Sequence, residues 1–455
     1  MVYIIKTRLR RLHPANLLVI SYLAAALSGA FLLSLSVSST GESLSFINAL
    51  FTATSSICVT GLIVVDTGTQ FTVFGKSVII ILIQLGGLGV MTFSIFFFMF
   101  LRRATSAKSR WIITEGFTAS PIGEIPSLLK SIFLFTFIAE SIGAILLFLF
   151  WRGHMPNGEA MFTGIFHSIS AFCNAGFSFF DTSFIGYRGS WMLNATILTL
   201  IVIGGIGFPV MYEFSARLRQ RGRRRPPVTL HTRMVITTTL ILIVTGMILI
   251  YALERNGAIA GLSNGEKIAA ALFQSITART AGFNTIDIPS LGYATLFILI
   301  ILMFVGASPG SCGGGIKTTS LAVLAAIPFN KIRGNDSVSL FKRTLPREVV
   351  SRALSIFILA VCVVTTGLIL LLVTQGGAGP GDGETFLAYL FEAVSAFGTV
   401  GLSMGVTATL STAGKVIIIV LMLLGRVGLL TVAYVVTDVS GKRQFRYAEE
   451  RVMIG

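Results

Sequence analysis

The sequence predicts an all-α membrane protein in which one unit occurs four times, giving eight transmembrane helices plus four re-entrant pore helices around one central pore. Three observations predict it. The 455 residues are 54% hydrophobic and only 12% charged, with a mean hydropathy of +0.85, a composition that excludes an ordinary soluble domain. One kind of segment then recurs: LFTATSSICVTGLIVVD (50–66), FTGIFHSISAFCNAGFSFFD (162–181), LFQSITARTAGFNTID (272–287) and LFEAVSAFGTVGLSMGV (390–406). Their glycines, Gly61, Gly176, Gly282 and Gly401, lie 115, 106 and 119 residues apart, and self-similarity at such a period marks a repeat architecture. Finally, each segment lies between two apolar runs long enough to cross about 30 Å of hydrocarbon, which takes about 20 helical residues.

The units follow in order. The first (1–110) has an outgoing helix near 14–37, a short helix ending at Gly61, and a return helix near 71–101. The second (111–226) repeats this with spans near 126–151 and 191–216 around Gly176. The third (227–340) goes out near 234–253, turns at Gly282 and returns from about 291. The fourth (341–440) uses 346–374 and 412–439 around Gly401, and 441–455 forms a tail. The basic start (Lys6, Arg8, Arg10, Arg11) imitates a signal peptide, but its apolar run is too long for a typical h-region and belongs to the first unit. A turn-plus-acid pair precedes each short helix: Gly41-Glu42, Gly158-Glu159, Gly265-Glu266 and Gly383-Glu384. Three of these follow Asn157, Asn264 or Asp382. Capping residues and first-turn carboxylates favour a helix N-terminus. From these pairs to the glycines the chain is too short to span, so each short helix is re-entrant. Its non-helical end must then line a wet cavity or lie within protein.

The net charge of +16 could suggest nucleic acid, but its distribution argues for a membrane topology. Of the 35 Lys and Arg, 26 fall on one side of the proposed spans, between Lys6 and Arg11, Arg102 and Lys130, Arg217 and Arg233, Lys331 and Arg352, and Lys442 and Arg451. The positive-inside rule makes that side cytoplasmic, with both termini inside. The Arg-rich linker at 217–233 meets either anionic lipid headgroups or a cytosolic partner. Cys58, Cys173, Cys312 and Cys362 are isolated, without metal-ligand spacing or a disulfide framework. An integral membrane enzyme would need a converging acid, base, nucleophile or metal set; the intramembrane polar residues are mostly Ser and Thr.

The candidate selectivity filter is made of Cys58-Val59-Thr60-Gly61, Cys173-Asn174-Ala175-Gly176, Arg279-Thr280-Ala281-Gly282 and Gly398-Thr399-Val400-Gly401. A cation sheds its water where carbonyl oxygens replace it. Glycine allows the torsions that aim successive carbonyls inward, and four helix C-termini add their negative ends. Arg279 is expected behind its loop, bonding carbonyls. Asp66, Asp181 and Asp287 follow three of the glycines by five residues, either as an outer ring of acids that concentrates cations or as solvated loop residues. The third return helix is interrupted by Gly306-Ala307-Ser308-Pro309-Gly310-Ser311-Cys312-Gly313-Gly314-Gly315-Ile316-Lys317, which cannot sustain a helix. It aligns with 86–89, 204–207 and 425–428, and is the one extended copy. Arg426 stands where the other copies have Gly87, Gly205 and Ala307. An arginine at mid-membrane is a functional candidate by default; a structural salt bridge is the alternative.

On these motifs the sequence resembles the ion-translocating subunits of the Trk/Ktr/HKT superfamily, over essentially the whole chain, and is most similar to the KtrB type. The resemblance implies four M1-P-M2 units, potassium uptake, a homodimer, and activation by sodium. It also implies control by a separate cytosolic RCK-type ring (KtrA-like) that binds ATP, ADP or dinucleotides; this chain has no G-x-G-x-x-G in a βαβ context. It makes 306–317 an intramembrane gating loop below the filter, where packing alone is the alternative reading. It also lets the terminal carboxylate of Gly455 pair with Arg426. Glycine at the first filter position favours potassium, where serine in plant relatives goes with sodium. A sodium or poorly selective carrier of the same fold is the competing reading.

Overall fold

The structure is a computed structural model and describes residues 14–89, 125–219, 227–376 and 383–429. Its helices longer than four residues, in chain order, are α1 (Pro14–Leu33), α2 (Phe46–Ile57), α3 (Val73–Gly87), α4 (Ile125–Trp151), α5 (Asn157–Phe172), α6 (Trp191–Ile206) and α7 (Phe208–Arg219). They continue with α8 (Leu230–Glu254), α9 (Asn264–Thr277), α10 (Tyr293–Phe304), α11 (Thr318–Ile332), α12 (Arg347–Thr374), α13 (Gly383–Gly398) and α14 (Thr412–Val427). A small antiparallel hairpin, β1 (Ser339–Leu340) and β2 (Arg343–Thr344), joins α11 to α12.

Three helices among the described residues are long and apolar enough to cross a membrane: Lys130–Trp151 within α4, Leu230–Glu254 and Arg347–Thr374. Only 28–33% of their apolar windows is buried inside the protein. A helix apolar all round, with most of that surface left uncovered by protein, is matched to hydrocarbon and not to water. The spans expected at 71–101 and 412–439 run into residues outside the described set. One expectation is corrected: 191–216 is not a single return helix. Gly207, at φ +97°, separates α6 from α7, and the two meet at 96°. The aligned Gly428 ends α14 at φ +91°, and Gly89 follows α3 at φ +84°. The third copy is the longest interruption, from Val305 to Lys317.

The short helices α2, α5, α9 and α13 have 12, 16, 14 and 16 residues. At 1.5 Å per residue that is roughly 18–24 Å, less than a hydrocarbon core. Their starts differ from the expected caps. Ser263 caps α9 in a capping box with Glu266, and Pro156 precedes α5, so Asn157 and Asn264 are first-turn residues. Glu42 lies ahead of α2 altogether, while Glu384 in α13 accepts from the hydroxyl of Tyr293. Asp382 lies outside the described residues.

Close packing repeats as the sequence does. A Cβ on Gly29, Gly143, Gly246 or Gly367 would fall 2.6–3.0 Å from a δ-carbon of Leu82, Leu200, Leu302 or Leu421. Each of α1, α4, α8 and α12 thus carries a glycine notch that seats one leucine of the return helix in the same unit. Helices α3, α6 and α14 in turn press on the ends of the short helices: a Cβ on Gly86, Gly204 or Gly425 would lie 1.8–1.9 Å from the carbonyl oxygen of Ile57, Phe172 or Phe397. These contacts hold the short helices' C-termini together in the middle of the molecule.

Candidate ion pathway

The four glycine loops share one backbone pattern. Two residues before each glycine, Val59, Asn174, Thr280 and Thr399 have φ of +57°, +60°, +76° and +51°. The glycines themselves follow at +89°, +68°, +82° and +94°. Three of the four non-glycine residues are β-branched, for which positive φ is a true outlier, costing about 1–2 kcal/mol each. Such strain persists only where surrounding structure over-determines it. The restraint is visible. The amides of Thr60, Ala175, Ala281 and Val400 donate to the carbonyls of Ser55, Ser170, Thr277 and Ser395 at 2.7–2.9 Å. The hydroxyls of those four residues act next: Ser55 and Ser395 accept from Gly61 and Gly401, and Ser170 and Thr277 donate to the carbonyls of Phe177 and Phe283. Sequence reading passed over these braces, although a hydroxyl five or six residues before every filter glycine was there to be found.

The loops meet one another in cyclic order. A Cβ on Gly61 would lie 2.4 Å from the carbonyl oxygen of Ala175; one on Gly176, 2.8 Å from that of Ala281; one on Gly282, 2.4 Å from that of Val400; and one on Gly401, 2.2 Å from that of Thr60. First touches second, second third, third fourth, and fourth first. Cys58, Cys173, Thr60, Asn174 and Val400 are all fully buried. Arg279 is turned away from the ring, with Nη2 3.5 Å from the hydroxyl of Thr239 on α8. The expected carbonyl partners are corrected to this hydroxyl.

Segment 306–317 lies against two of these loops. The amide of Gly314 donates to Thr399 Oγ1 at 2.9 Å, and a Cβ on Gly313 would lie 2.1 Å from Thr280 Oγ1. The break at Gly207 leaves carbonyls of α6 without helical donors. The interrupted segment supplies them: Ser308 donates to Gly205 at 3.1 Å and Cys312 to Gly204 at 3.2 Å, while Phe208 donates back to Gly310 at 2.9 Å. Two cations then tie the segment down. Lys317 Nζ donates to the carbonyls of Gly313 at 2.7 Å and Gly314 at 3.4 Å. Arg426 is buried and donates to the carbonyl of Cys312 and, across the molecule, to that of Gly86. Among the described residues no carboxylate pairs with Arg426. The proposed partner, Gly455, lies outside them.

Of the three acids, Asp66 caps a turn, its Oδ1 accepting from the amide and hydroxyl of Thr69 at 2.7 Å. Asp181 stands beside it. A hydrogen bond to the Asp66 carboxyl, and then its charge, raise Asp181 above the ordinary carboxyl value. Asp287 is exposed, and its backbone carbonyl accepts from Ser290. A raised value means Asp181 takes up its proton early on acidification. In D66N, where asparagine still caps the turn, Asp181 reverts towards the ordinary value. We expect low-salt cation uptake to begin falling at a higher pH in the wild type than in D66N, measured as initial rates over a pH series. Superimposable profiles would remove this pair from any recruiting role.

Sequence reading also missed buried polar side chains behind the loops. Glu140 on α4 accepts from Gln84 Nε2 at 3.2 Å and lies 3.8 Å from the thiol of Cys173. His167 and Glu392 are fully buried in α5 and α13. A lone acid inside an apolar run was the available signal. Among the described residues no group of three or more His, Cys, Asp or Glu could hold a metal ion.

Comparison with known proteins agrees with this geometry. The family model described as TrkH, cation transport protein, matches residues 7–442. The chain is 38% identical over 447 residues to Ktr system potassium uptake protein B of Bacillus subtilis, covering 98% of this chain and 97% of that one. It is 34% identical to the potassium/sodium uptake protein NtpJ of Enterococcus hirae, covering 99% and 100%. In fold it matches the crystal structure of the potassium transporter TrkH from Vibrio parahaemolyticus with a TM-score of 0.71 at 19% identity, over 93% of this chain and 84% of that one. These are ion transporters, not enzymes, and the chain belongs to the TrkH family of cation transport proteins.

Proposed function

We propose that this chain is the ion-translocating subunit of a Ktr-type potassium uptake system, with one gated pore through each subunit. Four M1-P-M2 units (1–110, 111–226, 227–340, 341–440) surround that pore, and both termini face the cytoplasm. The observation that carries the reading is the closed ring in which each filter glycine faces the carbonyl of the next loop. Carbonyls so arranged replace a potassium ion's hydration. Segment 306–317 is the gate, and Arg426, facing the same passage, disfavours cation occupancy there. The membrane potential, about 2.3 kcal/mol per charge per 100 mV, drives uptake. A homodimer activated by sodium and docked on a cytosolic RCK-type ring through 217–233 and 331–347 completes the proposal. The B. subtilis relative's name supports a multi-subunit system.

The test is rubidium uptake into proteoliposomes holding the purified chain, with and without a ring subunit, in competition with sodium. Saturable uptake that potassium blocks well below the sodium concentration needed supports the proposal. Equal blocking by the two ions favours the second reading, a poorly selective carrier, which the potassium/sodium name of the E. hirae relative supports.

A further inference from the structure

His167 and Glu392 occupy one register position in the repeat. Each lies three residues before the hydroxyl that braces its loop, Ser170 or Ser395, and each is fully buried. Each also reaches past the filter to the serine two residues beyond the glycine. Glu392 Oε2 accepts from Ser403 Oγ at 2.8 Å, and Oε1 accepts from Thr407 Oγ1. His167 Nε2 meets Ser178 Oγ at 3.2 Å and accepts from the amide of Phe179 at 3.3 Å. Its Nδ1 lies 2.9 Å from the carbonyl of Thr163. That carbonyl can only accept, so Nδ1 carries a proton; the Phe179 amide can only donate, so Nε2 carries none and the ring is neutral. The two serines are held alike, with Ser178 Oγ taking the amide of Phe180 at 3.1 Å and Ser403 Oγ that of Gly405 at 3.0 Å.

The other two units lack this grip. Thr52, in the same position of α2, returns its hydroxyl to its own helix at Asn48. In α9 the position is Gln274, fully buried, whose amide has no hydrogen-bond partner among the described residues. The outer limb of the third loop leans instead on its neighbour, where Phe184 donates to the carbonyl of Asn284 and Asn284 to the hydroxyl of Ser183. In the cyclic order of the loops, the second and fourth are diagonal to each other.

We infer that His167 and Glu392 are positioning residues that clamp the outer limbs of the second and fourth filter loops, so that the ring is pinned at two diagonal corners by its own pore helices and not at the other two. The clamp touches no ion. It acts through Ser178 and Ser403, whose positions set where the carbonyls of the adjoining filter residues point. A buried carboxyl or imidazole is expensive unless it is fully hydrogen-bonded. A fully bonded one restrains strongly, because losing a partner leaves an unsatisfied buried group. On the snug-fit account of a carbonyl filter, selectivity between cations of different radius depends on how firmly the carbonyls are held, whereas in the proposed pore maximal throughput is set at the gate. The clamp therefore governs discrimination and leaves the maximal rate nearly alone.

This inference rests on the proposed transport function, and the experiment separates the two. Rubidium and sodium uptake are measured in proteoliposomes for the wild type, E392L, H167F, Q274L and E392Q. We expect E392L and H167F each to lower potassium-over-sodium discrimination at least threefold, with maximal rubidium uptake within a factor of two. E392Q, which still accepts a hydroxyl, recovers most of the discrimination. Q274L replaces an unpaired amide by an apolar group of similar volume and leaves discrimination unchanged. Should E392L fail to fold, S403A cuts the same clamp at its other end and is expected to reproduce the loss. Equal losses in Q274L and E392L would make the position mere packing and overturn the inference, as would unchanged discrimination in E392L, H167F and S403A. A wild type that does not discriminate between the ions fails the potassium-selective reading instead.

Discussion

We expect alanine at Gly401 to remove potassium-selective uptake while leaving the protein inserted in the membrane. The added methyl would sit 2.2 Å from the carbonyl oxygen of Thr60, a residue whose amide is braced on the carbonyl of Ser55, and on a residue at φ +94°. Overpacking costs about 1–3 kcal/mol and left-handed torsion about 1–2 kcal/mol. A combined penalty of roughly 2–5 kcal/mol is a factor of thirty or more, since about 1.4 kcal/mol is tenfold. Because the contact is with the neighbouring loop, relief must come from opening the ring, so discrimination collapses before the fold does. The size of the overlap also orders the series. G401A (2.2 Å) and G61A (2.4 Å) should be more severe than G176A, whose methyl would meet the Ala281 carbonyl oxygen at 2.8 Å. Rubidium uptake with sodium competition, paired with a size-exclusion profile in detergent, checks this. Normal selectivity in G401A would disprove the carbonyl-ring account of the pore.

We expect deletion of Gly310 to Gly314 to raise maximal potassium flux, by about an order of magnitude. The excised residues supply the Gly310 carbonyl that binds Phe208, the Cys312 amide that binds Gly204 and the Gly314 amide that binds Thr399. They also carry the carbonyls held by Lys317 and Arg426. Ordinary hydrogen bonds contribute about 0.5–1.5 kcal/mol each, and those to charged groups about 1.5–3 kcal/mol. The segment is thus held in place by several kcal/mol, which in the proposed gate keeps the path closed most of the time. T399V offers a milder version, leaving the Gly314 amide unpaired and raising flux by a smaller factor. Initial rates in proteoliposomes, normalised to inserted protein, decide the matter. Unchanged or reduced flux in a correctly inserted deletion variant would mean that the segment is not a gate.

Much of this architecture is legible in the chain because its causes are local. A backbone that must turn through positive φ selects glycine, so Gly61, Gly176, Gly282 and Gly401 announce their loops without reference to anything distant. Gly310, Gly313, Gly314, Gly315 and Pro309 likewise forbid a helix wherever they are placed. Local pattern did not distinguish the break at Gly207 from an uninterrupted helix. Gly207 is flanked by apolar residues on both sides, so hydropathy runs straight through it, and the turn shows only where Ser308 and Cys312 bond the carbonyls that α6 leaves free. The caps failed for a related reason: Asn157 and Asn264 were in sight, but Ser263 and the box it forms with Glu266 won the end of α9.

By itself the sequence determined the membrane environment, the fourfold recurrence and the glycines at which the chain turns, since hydropathy and torsional preference belong to individual residues and their near neighbours. Tertiary structure decided what those turns face. The partner of Arg426 lies 340 residues away at Gly86, Asn174 reaches Thr280 across 106, and Arg279 turns to Thr239 and not to its own loop. Such contacts join groups far apart in the chain, and only the packed helices determine which of them come within hydrogen-bonding reach.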